Sequence, residues 1–143
     1  MRDLAAFRRS VDLALAITSI SAPSTKVTTR MFREVAASLT RDGTLIAVLA
    51  SLDALHYLHD LAARLGRPLR GAGRIEGDVF VENGERQKFF TPDEIRERCQ
   101  ECDLTIIRLE PVRYPWRLMQ SFGWGYFPRH PRLWDWYLVA RPG

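Results

Sequence analysis

At 143 residues, with 46% hydrophobic and 27% charged side chains, the chain is sized for one compact domain that buries roughly 68% of its unfolded surface. Lys+Arg 21 against Asp+Glu 17 leaves a formal charge of +4, too small an excess to imply nucleic acid. No run is apolar enough to span a bilayer, and Met1-Arg2-Asp3-Leu4, followed by Arg8, Arg9 and Asp12, lacks the pattern of a secretory leader, so no membrane partner and a cytoplasmic location are expected.

Val11 to Ile17 is near-continuously apolar, the pattern of a strand covered on both faces, and no Gly-rich phosphate or nucleoside loop precedes it. Thr18, Ser19, Ile20 and Ser21 follow as a small-residue crossover. A helix is expected over Lys26 to Thr40, where Val27, Met31, Val35 and Leu39 share one face and Asp42-Gly43 gives the stop. Thr44 to Ala50 repeats the first strand's character, and strand, helix, strand in this order signals parallel packing. A second helix starts after Ser51 as N-cap, turns Leu52, Leu55, Leu58, Ala62 and Leu65 inward, and ends at Gly66 and Pro68.

Residues 66–90 then form a basic turn, with Arg67, Arg70 and Arg74, and an inserted hairpin or lid in which Asn83-Gly84 joins Asp78 to Glu82 with Glu85 to Phe90. Thr91-Pro92-Asp93-Glu94 is a strong helix start, Thr91 as N-cap, Pro92 at the first helical position and Glu94 completing a capping box. Cys99 and Cys102 fall at the end of that helix, where inert buried thiols fit better than a redox or zinc pair. Leu104 to Leu109 and Leu133 to Ala140 complete the strands, separated by an aromatic-rich connection over 111–132. The apolar Val11 to Ile17 segment has no earlier strand to pair with, and such an edge invites another chain.

This order resembles the C-terminal half of a class I S-adenosylmethionine-dependent methyltransferase over residues 10–141. The likeness rests on Val11-Asp12-Leu13-Ala14-Leu15-Ala16-Ile17, on Met31-Phe32-Arg33-Glu34-Val35 leading through Asp42-Gly43 to a strand, and on Lys88-Phe89-Phe90-Thr91-Pro92-Asp93-Glu94-Ile95. Glu101-Cys102-Asp103-Leu104 stands where the family often has Glu-Ala-Gly-Phe, and Trp134-Asp135-Trp136-Tyr137-Leu138-Val139-Ala140 looks like its final strand. The resemblance implies an α/β, partial Rossmann-like methyltransferase fold over 1–143. Its mostly parallel sheet would have order 4-5-7-6 in the family's strand numbering, the last strand antiparallel, with helices on both faces.

It also implies what is missing, namely the family's first strand, its glycine-rich turn and the acid that holds the cofactor ribose. The chain is then an acceptor-side fragment or subunit, inactive alone, binding S-adenosylmethionine only when complemented and no cofactor by itself. Thr18, Ser19 and Ile20 would lie at the cofactor and methyl-transfer position. Thr18-Ser19-Ile20-Ser21 departs from the Asn-Pro-Pro-Tyr type, which favours a small-molecule acceptor. His56, His59 and Tyr57 are the available catalytic candidates, since a general base is needed when the acceptor must lose a proton. Arg113, Tyr114, Trp116 and Trp124 are the candidates for substrate contact, because aromatics interleaved with arginines can enclose an acceptor. No metal site is expected. The alternative is a non-catalytic structural protein that dimerises through the Val11 to Ile17 edge, the same edge that would receive a separate N-terminal half-domain.

Overall fold

A computed structural model describes residues 7–66, 73–115, 117 and 133–143. Its elements are β1 (Val11–Ile17), α1 (Thr25–Ser38), β2 (Leu39–Ala50), α2 (Leu52–Arg64), β3 (Arg74–Glu76), β4 (Val79–Glu82), β5 (Glu85–Lys88), α3 (Pro92–Glu101), β6 (Leu104–Arg113) and β7 (Trp134–Pro142). Four strands form one mixed sheet in the order β1-β2-β7-β6, and β3-β4-β5 form a small second sheet. β1 runs parallel to β2, whereas β7 is antiparallel to both of its neighbours, so three strands share a direction and β7 opposes them. No described helix is long and apolar enough to cross a membrane.

The alternation of each strand divides the sheet into two unlike faces. Ala16, Leu45, Ala47, Leu49, Leu138 and Ala140 point to one face and pack with Phe32 of α1 and Ile95 and Cys99 of α3 into the principal core. On the other face Leu13, Leu15 and Ile17 are 52%, 64% and 54% exposed. This corrects the expectation of a strand covered on both faces: α1 and α3 pack on the core side, and β1 is a sheet edge with a bare apolar stripe on the other. An apolar run predicts burial only when something is present to do the burying.

Several elements form for the local reasons anticipated. Ser51 caps α2 by accepting from the Ala54 N–H at 3.1 Å, and Thr91 caps α3 by accepting from Glu94 N–H at 3.2 Å. Asn83 and Gly84 take φ of 51° and 84° in the β4–β5 turn, and Asp103 takes the left-handed φ of 52° after α3. The capping box is only half made, however, because the Glu94 carboxylate accepts instead from the Lys88 ammonium at 2.8 Å.

Boundaries differ elsewhere. The helix ends at Ser38, and β2 begins at Leu39 although Leu39 continues the helical spacing. Between the pairs Val11↔Leu39 and Leu13↔Thr44 the β2 side carries extra residues, and this irregular stretch holds Gly43. A Cβ at Gly43 would lie 2.8 Å from the Val11 carbonyl oxygen and 3.0 Å from both N and O of Thr40. All three contacts are backbone and cannot swing aside. Gly43→Ala is therefore expected to cost about 1–3 kcal/mol in urea denaturation; an unchanged midpoint would mean that the crossing relaxes freely. β6 continues through Pro111, tolerated because β6 is the outer strand and one side of its backbone needs no partner.

Candidate functional site

Parallel β1 and β2 end together, β7 starts beside the end of β2 (Ala50↔Asp135), and β6 ends beside the start of β7 (Arg113↔Trp134). Thr18, Ser19, the start of α2, Arg113, Tyr114 and the Trp134-Asp135-Trp136 segment therefore gather at one rim of the sheet. Open α/β sheets place ligands at this rim.

Thr18 is held with φ of 49°, its N–H donating to the Val48 carbonyl at 2.9 Å, so the chain turns abruptly off β1 and leaves Thr18 and Ser19 exposed. Ile20 differs from both: it is 3% exposed and part of the core, so its side chain packs the turn and does not face a ligand. The Ser21 carbonyl accepts from Lys88 N–H at 2.9 Å, which ties this turn to the small sheet. Phe90 completes the tie: its N–H donates to the Ala50 carbonyl at 2.8 Å, while its own carbonyl accepts from Leu52 N–H and Trp136 Nε1, both at 3.0 Å.

Asp135 is the rim's least anticipated residue. Its carboxylate accepts from the Tyr114 hydroxyl and from Ser51 N–H at 3.3 Å, joining the ends of β6, β7 and β2. Burial pushes the Asp135 carboxyl above the usual carboxylate range, while the hydrogen bonds from Tyr114 and Ser51 pull it back. Burial, then the adjoining carboxylate, raises the Tyr114 phenol. The phenol thus stays protonated and serves as a donor that braces the rim. A Trp-Asp-Trp triplet inside an otherwise apolar strand was the signal for it, since an acid there needs a partner.

An acid raised in the fold binds its proton more tightly native than unfolded. Its contribution to stability therefore falls as pH rises from the unfolded value of 3.8 through the raised native one, and the loss persists above that window. Asp135→Asn removes this slope. The melting temperature of the variant relative to the parent is expected to improve as pH rises across the acidic range, and a flat difference would refute the assignment.

The remaining candidates are dispersed. His56 and His59 are exposed on α2, as is Tyr57, whose ring lies 6.3 Å from that of Trp134 at an interplanar angle of 41°. Trp134 Nε1 is buried without a hydrogen-bond partner among the described residues. Arg113 is exposed at the end of β6, while Trp116 and Trp124 lie outside the described residues. No group of three or more potential metal ligands occurs among the described residues. Burial raises both thiols, pushing Cys99 up to about 12, so the pair is unreactive at neutral pH.

No protein-family model and no curated protein matches the chain. Solved structures do. A SAM-dependent methyltransferase from Methanosarcina mazei superposes with TM-score 0.63 at 17% identity, over 94% of this chain and 60% of that one. One from Clostridium acetobutylicum gives 0.59 at 14%, over 94% and 59%. The 1,6-didemethyltoxoflavin-N1-methyltransferase of Burkholderia thailandensis, solved with 1,6-didemethyltoxoflavin and S-adenosylhomocysteine, gives 0.57 at 16%, over 94% and 45%. At such identities the likeness is one of fold: a small, SAM-methyltransferase-like α/β domain. The chain spans about half to three fifths of the length of these structures, between 45% and 60%.

Proposed function

We propose that this chain is the acceptor-side portion of an S-adenosylmethionine-dependent methyltransferase, completed by a cofactor-binding half that pairs with β1 and covers its bare face. The carrying observation is the coincidence of two facts. The fold likeness covers nearly all of this chain but only part of each of these solved methyltransferases, and β1 presents both an edge unpaired among the described residues and a stripe of exposed leucine and isoleucine. In this reading β1, β2, β7 and β6 correspond to the family's fourth, fifth, seventh and sixth strands, and the acceptor is a small molecule approaching the Thr18 and Tyr114 rim.

The described residues alone do not fit the cofactor. At the ends of β1 and β2 they offer the exposed hydroxyls of Thr18 and Ser19, Ile20 belongs to the core, and both oxygens of Asp135 are already engaged. No methyl-transfer step is therefore assigned to the chain by itself. Calorimetric titration of the purified chain with S-adenosylmethionine is expected to show no saturable binding. Mixing it with the matching N-terminal portion of a methyltransferase of the same fold is expected to restore binding. Tight stoichiometric binding by the isolated chain would overturn the half-site reading, and a reconstituted complex that binds no cofactor would overturn the methyltransferase reading.

The same edge supports a second reading, a non-catalytic protein in which two copies pair through β1. Sedimentation of the isolated chain separates the two, since this reading requires a dimer at micromolar concentration.

A further inference from the structure

At the opposite end of the sheet, the end of α1, the start of β2, the segment after α3 and the end of β7 line an open hollow of about 480 Å³. Arg9, Arg33 and Arg41 all line it, from three separate parts of the chain. None of the three pairs with a carboxylate among the described residues, whereas Arg30, Arg74, Arg86, Arg96, Arg98 and Arg108 each do. Asp103 is the acidic residue among those lining it, so even with a carboxylate counted at Gly143 the lining residues carry three positive charges against two negative ones.

Arginines near a helix C-terminus often serve its unpaired carbonyls, but here those carbonyls have partners. Val35 O accepts from Ser38 Oγ, Ala36 O from Leu39 N–H, Ala37 O from Arg9 N–H and Ser38 O from Ser10 N–H. The capping is done by backbone and a serine, with Arg9 held at φ of 49° to do it, and the three guanidiniums are left over. The neighbouring hollow along α1, of about 530 Å³, shares Arg33, but its other guanidinium, Arg98, is neutralised by Glu97 and Glu101.

We infer that the Arg9, Arg33 and Arg41 hollow binds a phosphate-class oxyanion, carried either by a free inorganic ion or by a phosphorylated small molecule. Guanidiniums suit this ligand because their planar forks donate in pairs to phosphate oxygens, and the volume falls within the usual range for small-molecule sites. The site lies away from the Thr18 and Tyr114 rim and does not depend on the proposed methyl-transfer role.

Titrating the chain with inorganic pyrophosphate, followed by calorimetry and amide NMR shifts, tests it. Saturable one-to-one binding is expected, with shifts centred on Ala36, Ala37, Cys102 and Asp103. Arg33→Gln/Arg41→Gln should weaken it at least about tenfold, while Arg86→Gln in the small sheet should leave it unchanged. Competition by inorganic phosphate or by a phosphate monoester distinguishes the two sources. Absence of saturation at millimolar ligand, equal weakening by Arg86→Gln, or shifts spread over the surface would each overturn the site. The shift map is read on the unaltered chain, so it decides the matter even where the double variant fails to fold.

Discussion

Lys88→Met is expected to lower the unfolding free energy by about 3–5 kcal/mol. Lys88 is 0% exposed, its ammonium bonds to Asp78 and to Glu94, and it lies 5.3 Å from the centre of the Phe90 ring. Removing one partner of a buried ion pair strands the other, and here the stranded group is chiefly Glu94, the better buried of the two acids. Glu94 has one refuge: in the first turn of α3 it can swing back to complete the capping box with Thr91, which places the loss toward the lower end of the range. Methionine keeps the apolar stem, so the measurement isolates the charge. Urea denaturation provides the value, and a loss below about 1 kcal/mol would show that water reaches the site. The backbone N–H of residue 88 donates to the Ser21 carbonyl, so loosening of this strand end in the same variant is expected to quicken the exchange of that amide.

Leu15→Glu is expected to have the converse profile, with little effect on folding and a large effect on association. Leu15 is 64% exposed, and substitutions at such positions usually change stability by no more than about 0.5 kcal/mol. Once a complementary half covers β1, the same side chain is buried. A carboxylate there, without a partner, costs at least about 3 kcal/mol, or about a hundredfold in affinity. Binding of the N-terminal portion in the reconstitution described above should fall by that factor, while the urea midpoint of the isolated chain stays in place. Equal affinity for parent and variant would remove the bare face from the interface and leave only the strand edge.

Local chemistry made much of the fold legible. Thr91-Pro92, Asn83-Gly84 and Ser51 act through contacts spanning a few residues, and each forms the cap or turn its residue type favours. Leu39 did not follow this logic, because its spacing suits α1 while its pairing with Val11, far away in the chain, makes it a strand residue. β3 is not legible for a similar reason: one β-branched residue, Ile75, between Arg74 and Glu76 is too short a run to mark a strand, and pairing with β4 orders it. At the rim, Tyr114 was recognisable as an unusual aromatic, but its partner Asp135 lies 21 positions away, and only the pairing of β6 with β7 brings them together. Ile20 adjoins Thr18 and Ser19 in the sequence yet enters the core, because the positive φ of Thr18 breaks the strand's alternation and turns the chain back over the sheet.

The central position of β7 governs the order in which the molecule can assemble. β2 and β6 are not neighbours; β7 lies between them and joins the β1-β2 pair to β6, through pairs such as Leu45↔Ala140 and Ile106↔Ala140. Among the described strands β1 and β2 are synthesised before β6 and β7, and until β7 arrives they contribute to this sheet only a β1-β2 pair, too small to be stable by itself. The sheet closes when the last strand slots between partners made long before it, a closure across many residues that slows folding. Until then β2 displays an open edge where β7 will lie, so the nascent chain passes through a sticky interval in which a chaperone has its best opportunity to engage.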